Sequence, residues 1–526
     1  MSATPLELLW PQAQAAYLQG DLLRAQATCE RVLALDPLHS PARLMAANLA
    51  THAGRHRLAV EHALAATRRI GRQTMQHVAE LGMKLIAVGE YEASAALSRK
   101  VDPALVNAPT SLAELSQQLS LLEQHDDALR YLESAMARGL GGDWVHYIHG
   151  NYLRFLGRMD AAAQAYERSI AASPDYALSH QALATLEPPG DRAVRIARIR
   201  ASLGRVPADF RDLPYLHYAL FKELDAQGDT DGAWTALAAG AREKRRRIAY
   251  DRGAERALLR ELAARTGAGF VRDDGDRADG PTPLFVLGMP RTGTTLLERI
   301  LGGHPGVALC GELNDFRMQY KWASDHVCLG FLDRESLRLL DTVDYAALGR
   351  RYRQHVAWRT GGSAWFTDKN PGNFLMAGLI LRALPGARII HLRRNPMDSC
   401  FSNLKELFGG YAHAYSYDFA ELAGHFADYR ALMAHWHAIA PGRILDLDYE
   451  AMVSDPDTAA REVMTYCGLD YNPEQLRVEN REAPVSTASS AQVRQPIHKR
   501  NVGGWKRYAA PLEPLRQLLE AERGAP

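Results

Sequence analysis

Over the first 245 residues, apolar positions recur at the three-to-four spacing of amphipathic helices, and short breaks interrupt them at a nearly fixed period. Gly20, Gly54, Gly89, Glu123 and Gly157 follow one another at 34, 35, 34 and 34 residues. Five residues after four of these breaks stands Ala25, Ala59, Ala128 or Ala162. The third unit has Ser94 there, with Ala93 just before it. The fullest units run AAYLQGDLLRAQATCERVLALDP from Ala15 and YLRFLGRMDAAAQAYERSIAASP from Tyr152, closing on Pro37 and Pro174. The pattern predicts two helices per unit. A tight turn favours Gly, and a close helix crossing favours Ala. Neither helix buries its apolar face alone, so the units stack into a solenoid.

This period and these residues resemble the tetratricopeptide (TPR) family, over roughly residues 6–245, with degenerate units near Gly190 and Gly228. The resemblance leaves two roles open for the array. Its groove holds a peptide or protein segment, or the array only braces a neighbouring domain.

The stretch 246–280 is a charged helical pattern followed by FVRDDGDRADGPTP, whose charge, Gly and Pro content reads as a linker. The basic run Lys244 to Arg247 reads as a solvated helix end. Beyond it the pattern changes to short apolar runs that suit buried parallel strands: Leu284 to Leu287, Ala387 to Leu392 and Arg443 to Tyr449. Strands separated by helices predict an α/β domain over 281–526 with a parallel sheet. The division expected is thus a repeat domain at 1–245, a helical linker at 246–280 and an α/β domain at 281–526.

Composition narrows the partners. Lys+Arg 62 against Asp+Glu 61 leaves a formal charge of +1, so no global basic excess recruits nucleic acid, and an anion site must be local. The five cysteines are scattered without a C-x-x-C pair, which predicts neither a disulfide framework nor a cysteine zinc site and fits a reducing, cytoplasmic setting. The N-terminus lacks a basic start before an apolar core, and no uncharged run reaches the ~18–20 residues of a span. The best candidate, Leu375 to Leu384, contains Arg382. Only nine of the 62 basic residues are lysine, so a lysine inside a motif carries information.

The first motif is PLFVLGMPRTGTTLLERILGGHP from Pro283. Strand, Gly loop and helix is the arrangement that cradles phosphate on backbone N–H groups and a helix dipole. Gly288 and Gly293 have Walker A spacing, but Thr294 replaces the Walker lysine. The loop therefore suits a terminal phosphate, with Arg291 as its basic side chain. The second motif is Arg394-Asn395-Pro396 with Ser402 eight residues after the arginine. Across a strand-to-helix turn the two can converge on one phosphate.

P-R-[ST]-G-T-T-L after an apolar strand resembles the 5′-phosphosulfate loop of sulfotransferases that use 3′-phosphoadenosine 5′-phosphosulfate (PAPS) and release PAP. The closest likeness is to tyrosylprotein sulfotransferases and bacterial TPR–sulfotransferase fusions, because Leu296 follows the threonines where cytosolic small-molecule enzymes carry Trp. The resemblance implies the following roles. Arg291, Thr292, Gly293, Thr294 and Thr295 hold the 5′-phosphate. Arg394 and Ser402 hold the 3′-phosphate, with Arg393 an open question.

Lys369, in FTDKNP, stabilises the leaving phosphate oxygen, aided by Arg291. Glu312, after His304-Pro305…Cys310-Gly311, takes the acceptor proton; the family's Gly-Glu-Glu is here Gly311-Glu312-Leu313, which leaves Asp315 and His391 as rivals. Tyr449 lies beside the adenine, and Ser489, Arg500 and Trp505 belong to a segment that closes over the nucleotide. No metal site is expected. The acceptor is an open hydroxyl compound, with protein tyrosine sulfation attractive because of the repeats. Other partners considered are a peptide or protein in the TPR groove and a second copy in a homodimer. The rival functions are a non-catalytic TPR adaptor and a P-loop kinase.

Overall fold

The computed structural model describes residues 4–70, 74–277, 280–410, 413–480 and 494–523. Its N-terminal region is a run of helical hairpins: α1 (Pro5–Leu18) with α2 (Leu22–Leu35), α3 (Ser40–His52) with α4 (His56–Ala66), α5 (Met75–Ala87) with α6 (Tyr91–Arg99), and α7 (Pro109–Leu121) with α8 (His125–Ala137). The series continues with α9 (Asp143–Phe155) and α10 (Met159–Ala172), α11 (Ala177–Leu186) and α12 (Arg192–Arg205), and α13 (Leu213–Gln227) and α14 (Thr230–Arg245).

Each of the seven hairpins turns on a residue with positive φ, including the expected five and the degenerate Gly190 and Gly228. Ala25, Ala59, Ser94, Ala128 and Ala162 are fully buried at the crossings. Ser94 occupies the alanine place and spends its hydroxyl on the Gly82 carbonyl at 3.0 Å, so its burial leaves no unpaired donor. Local caps start the helices. Thr4 and Glu7 form a capping box ahead of Pro5, and Asp21 accepts from Arg24 N.

The chain packs as two compact units. The first comprises Met1–Leu140 and Asn314–Trp358. Here α17 (Asp315–Ser324) and α19 (Tyr345–Val356) meet the early repeats through Met318 and Arg351, and α18 (Arg334–Arg338) lies between them in sequence. Arg57 donates to the Trp322 and Ala323 carbonyls at 2.8 and 2.6 Å, and the Arg351 guanidinium stacks on the Trp322 ring at 3.7 Å.

The second unit comprises Gly141–Leu313 and Arg359–Pro526. It holds the later repeats, α15 (Arg252–Arg265) and a five-stranded, wholly parallel sheet. The strands are β1 (Thr282–Gly288), β2 (Val307–Ala308), β3 (Trp365–Asp368), β4 (Arg388–Arg393) and β5 (Ile444–Asp448), in the order β2-β3-β1-β4-β5. Its remaining helices are α16 (Thr294–Leu301), α20 (Ala377–Ala383), α21 (Pro396–Leu404), α22 (Phe419–Ile439), α23 (Tyr449–Ser454), α24 (Pro456–Cys467) and α25 (Ala509–Arg523).

One sheet face is a continuous apolar core. Leu284, Val286, Ile390 and Leu392 pack there against Leu297 and Ile300 of α16, Met452 of α23 and Val463 of α24. The division into units follows packing and splits the repeat array between Leu140 and Gly141.

The basic stretch read as solvated is instead largely paired. Arg245 makes a two-pronged ion pair with Glu421 at 2.6 and 2.7 Å, and Lys244 donates to the Gly410 carbonyl. Arg246 and Arg247 share Glu243 one turn earlier. An arginine whose acidic partner lies far along the chain, as Glu421 does from Arg245, looks the same in sequence as one facing water.

Candidate functional site

The site forms at the carboxyl ends of β3, β1 and β4, where strand order departs to either side of β1. Open α/β sheets bind ligands at such switch points. The loop after β1 is tightly specified. A Cβ on Gly288 would stand 2.6 Å from the Leu392 carbonyl oxygen, and one on Gly293 (φ 102) would stand 2.6 Å from the Tyr449 ring. Between them Arg291 adopts φ 66, a left-handed conformation that costs an ordinary residue energy. Thr292 donates to the Met289 carbonyl at 2.8 Å and Asn403 donates to the Pro290 carbonyl at 2.9 Å, which fixes the loop from inside and from α21. Gly293, at the N-cap of α16, has no side chain to cap it, and Thr294 and Thr295 begin the helix at its positive dipole end.

Arg394 follows β4 and joins three parts of this site. Its guanidinium donates to the Arg291 carbonyl at 2.9 Å and to the Asn501 carbonyl at 2.5 Å, and lies 4.5 Å from the Tyr449 ring centre. Its Nε is buried and has no partner among the described residues. Asn395 caps α21 by accepting from Met397 N and Asp398 N, with Pro396 at the first turn. Ser402 is half-buried on the same helix. Arg393 turns to β5, pairing with Asp448 at 3.0 Å and Asp446 at 3.2 Å.

Asp398 accepts from the backbone N–H groups of Gly503 at 2.7 Å and Trp505 at 3.3 Å, which ties the C-terminal segment to α21. Trp505 is half-buried within that segment, and Arg500 is exposed and donates to Gln495. Ser489 lies outside the described residues.

One strand over, Lys369 follows β3. It is wholly buried and donates to Glu312 Oε1 at 2.5 Å, while the Glu312 side chain is 45% exposed. Three bonds hold the 310–313 segment against the strand end. Lys369 N donates to the Gly311 carbonyl at 2.9 Å, Cys310 N donates to Thr367 Oγ1 at 3.1 Å, and Asn370 donates to the Leu313 carbonyl at 3.0 Å. Beneath them Glu298 of α16 accepts from Gly311 N and Thr367 Oγ1 at 3.0 and 2.8 Å. Burial raises the Glu298 pKa and the Lys369 charge opposes that rise.

The rivals to Glu312 are differently placed. His391 is buried on β4 with Nδ1 at 2.7 Å from Asp446 and Nε2 against the Tyr429 hydroxyl, so both ring nitrogens are engaged. Asp315 is wholly buried at the start of α17, in the first unit. His391, His437 and Asp446 also bring three potential metal ligands within 4.8 Å of one another. The Arg393 guanidinium occupies the same carboxylate and already supplies it with positive charge.

Two neighbours escaped the sequence reading. Lys405 sits at the end of α21, half-buried, with its ammonium 4.7 Å from the Phe401 ring centre. Burial pushes its pKa down to about 8, and the Arg291 and Arg394 charges add to the drop. Its signal was available: one of nine lysines, three residues beyond Ser402. His413 is held down to about 4 by burial, feels the Glu312 charge, and meets the Phe408 ring at 4.5 Å. Nothing in the local pattern marks it.

Residues 283–473 match the family model described as the sulfotransferase family. An uncharacterized protein of Aquifex aeolicus is 28% identical over 386 residues, covering 70% of this chain and 49% of that protein. A protein-tyrosine sulfotransferase of Drosophila melanogaster is 23% identical over 265 residues, covering 45% of this chain and 50% of that protein. The chain thus spans about half the length of these curated relatives. Among solved structures, a sulfotransferase domain from the curacin biosynthetic pathway aligns with 15% identity and a TM-score of 0.31, covering 45% of this chain and 99% of that one. Among the described residues no helix is long and apolar enough to cross a membrane.

Proposed function

From the premise that this chain joins a TPR-type helical array to a sulfotransferase domain, we propose that it transfers a sulfuryl group from PAPS to an acceptor hydroxyl, with PAP as the other product. The observation that carries this reading is the Lys369–Glu312 pair at the end of β3, one strand from the glycine-bounded loop after β1. A buried cation and an exposed carboxylate, side by side next to a phosphate-type loop, are what in-line transfer between two oxygens needs.

The residues fit the donor. The loop backbone and the uncapped start of α16 suit its 5′-phosphate. The buried Nε of Arg394, without a partner among the described residues, leaves that guanidinium a donor for the 3′-phosphate, with Ser402 following on α21. Tyr449, packed between Gly293 and Arg394, suits the adenine end. In the reaction the acceptor oxygen bonds to sulfur as the sulfur–bridging-oxygen bond breaks. Glu312 receives the acceptor proton, and Lys369, with Arg291, offsets the charge left on the phosphate oxygen.

The ion pair adds a step of control. While Lys369 is bonded to Glu312, each blunts the other. When the Lys369 ammonium turns to the donor, the Glu312 carboxylate is left free to accept from the acceptor hydroxyl. The half-exposed Glu312, with the His413 and Phe408 rings meeting edge-on nearby, suits an acceptor carrying an aromatic ring, such as a peptide tyrosine.

The test is transfer from labelled PAPS to a tyrosine-containing peptide and to a host lysate, with wild type and Glu312→Gln. We expect labelled product from wild type and a loss of roughly 10²–10⁴ in kcat for Glu312→Gln, with PAP affinity unchanged within a few-fold. Absence of transfer to any hydroxyl compound, despite PAP binding, would favour an adaptor. Near wild-type kcat in Glu312→Gln would move the base elsewhere.

A further inference from the structure

The C-terminal segment running from Arg494 to Tyr508 is held at three places. In the middle, Arg394 donates to the Asn501 carbonyl and Asp398 accepts from Gly503 N and Trp505 N. These bonds lay it along the helix that carries Ser402. At its start, Arg494 donates to the Phe155 carbonyl at 3.0 Å, where α9 ends. The guanidinium lies so close to the Gly157 turn that a Cβ there would stand 2.6 Å from it. At its end, Tyr508 is buried and donates to Asp225 Oδ1 at 2.5 Å, and Arg507 pairs with the same carboxylate at 2.6 Å. Asp225 lies in the last turn of α13. The same helix reaches α21 directly, since the Tyr218 hydroxyl donates to the Leu404 carbonyl at 2.8 Å.

We propose that Arg494, Asp225 and Tyr508 are positioning residues of the nucleotide site: the fifth and seventh helical hairpins clamp the two ends of the strap whose middle crosses Arg394. The inference rests on reading Arg394 as a ligand of the donor's 3′-phosphate, and it goes further by making the repeats part of the donor site. The physical reason is entropic. A strap anchored only in its middle must be ordered each time nucleotide binds, and that cost is subtracted from affinity. Anchored at both ends on folded helices, it is already ordered. The repeats therefore act on donor residence time without touching the donor. Their contact with the strap also differs from peptide capture in a groove, because the occupant is this chain's own backbone and side chains.

The experiment compares full-length wild type with Arg494→Ala, Arg494→Lys and Tyr508→Phe. PAP dissociation is followed by stopped flow, and KM and kcat are measured for PAPS and acceptor. Thermal unfolding without nucleotide checks that each variant is folded. Arg494→Ala and Tyr508→Phe should each release PAP about ten-fold faster. KM for PAPS should rise by a similar factor, well beyond any fall in kcat, with the acceptor KM unmoved. Arg494→Lys should recover part of the loss. If wild type binds PAP while both variants release it within two-fold of the wild-type rate, the clamp is wrong and the donor reading stands. If wild type does not bind PAP at all, both fall.

Discussion

At the scale of single residues, the site gathers cations at the ends of β1, β3 and β4. Arg291 lies 3.9 Å from Glu406, and Arg394 donates to the Arg291 and Asn501 carbonyls. Lys405 completes the group. It is cationic below its pKa of about 8 and neutral above it. Of the charged groups that face it, Asp225 favours the ammonium, while Lys222, Arg291 and Arg394 disfavour it.

An anionic ligand binds the cationic form, so affinity is full below pH 7 and declines as pH rises through 8. We expect PAP affinity to drop by about five- to ten-fold between pH 7 and 9. Lys405→Met should be weaker at pH 7 and nearly flat over that range. Titration calorimetry at three pH values decides it, and a flat wild-type profile would take Lys405 out of the site.

At the scale of elements, the hairpin turn explains both the repeat period and its one exception. The turn residue must adopt a left-handed conformation, which glycine enters freely and other residues enter at about 1–2 kcal/mol. Glu123 pays that strain at φ 63, partly offset by its bond to His125 at 3.2 Å. Gly54 and Gly89 separate strain from crowding. A Cβ at Gly54 meets nothing within 4 Å, whereas one at Gly89 would stand 2.6 Å from the Met318 side chain.

Gly54→Ala should therefore cost about 1–2 kcal/mol, strain alone. Gly89→Ala should cost about 2–5 kcal/mol, since overpacking adds its own penalty. Glu123→Gly should be neutral to mildly stabilising. Urea unfolding followed by tryptophan fluorescence ranks the three. Equal losses at Gly54 and Gly89 would mean that α17 yields at Met318 without cost.

At the scale of the whole molecule, the later repeats are structural partners of the sheet domain, which bears on the choice between recruiting and bracing. Arg245–Glu421, Tyr218 to Leu404, Arg507–Asp225 and Arg494 to Phe155 all join 141–245 to later residues of the second unit. A chain starting at Arg247 should accordingly be poorly soluble or lose PAP binding, as an array that braces requires. Soluble expression and PAP calorimetry check this, and wild-type affinity in the shortened chain would contradict it. The sequence by itself determined the hairpin period, the strand–loop–helix around Arg291, and the element joining Arg394 to Ser402. Each of these is local, because a turn, a helix face or a phosphate loop is written in residues a few positions apart. Only the tertiary structure decided that Lys369 bonds Glu312 across 57 positions, that Asp398 holds the strap 105 positions away, and that Arg245 of the basic run finds Glu421 rather than water. Spacing along a chain fixes which backbone conformations are cheap. It does not say which distant side chain the packing will bring within reach of a charge, and that is where the chemistry of this site resides.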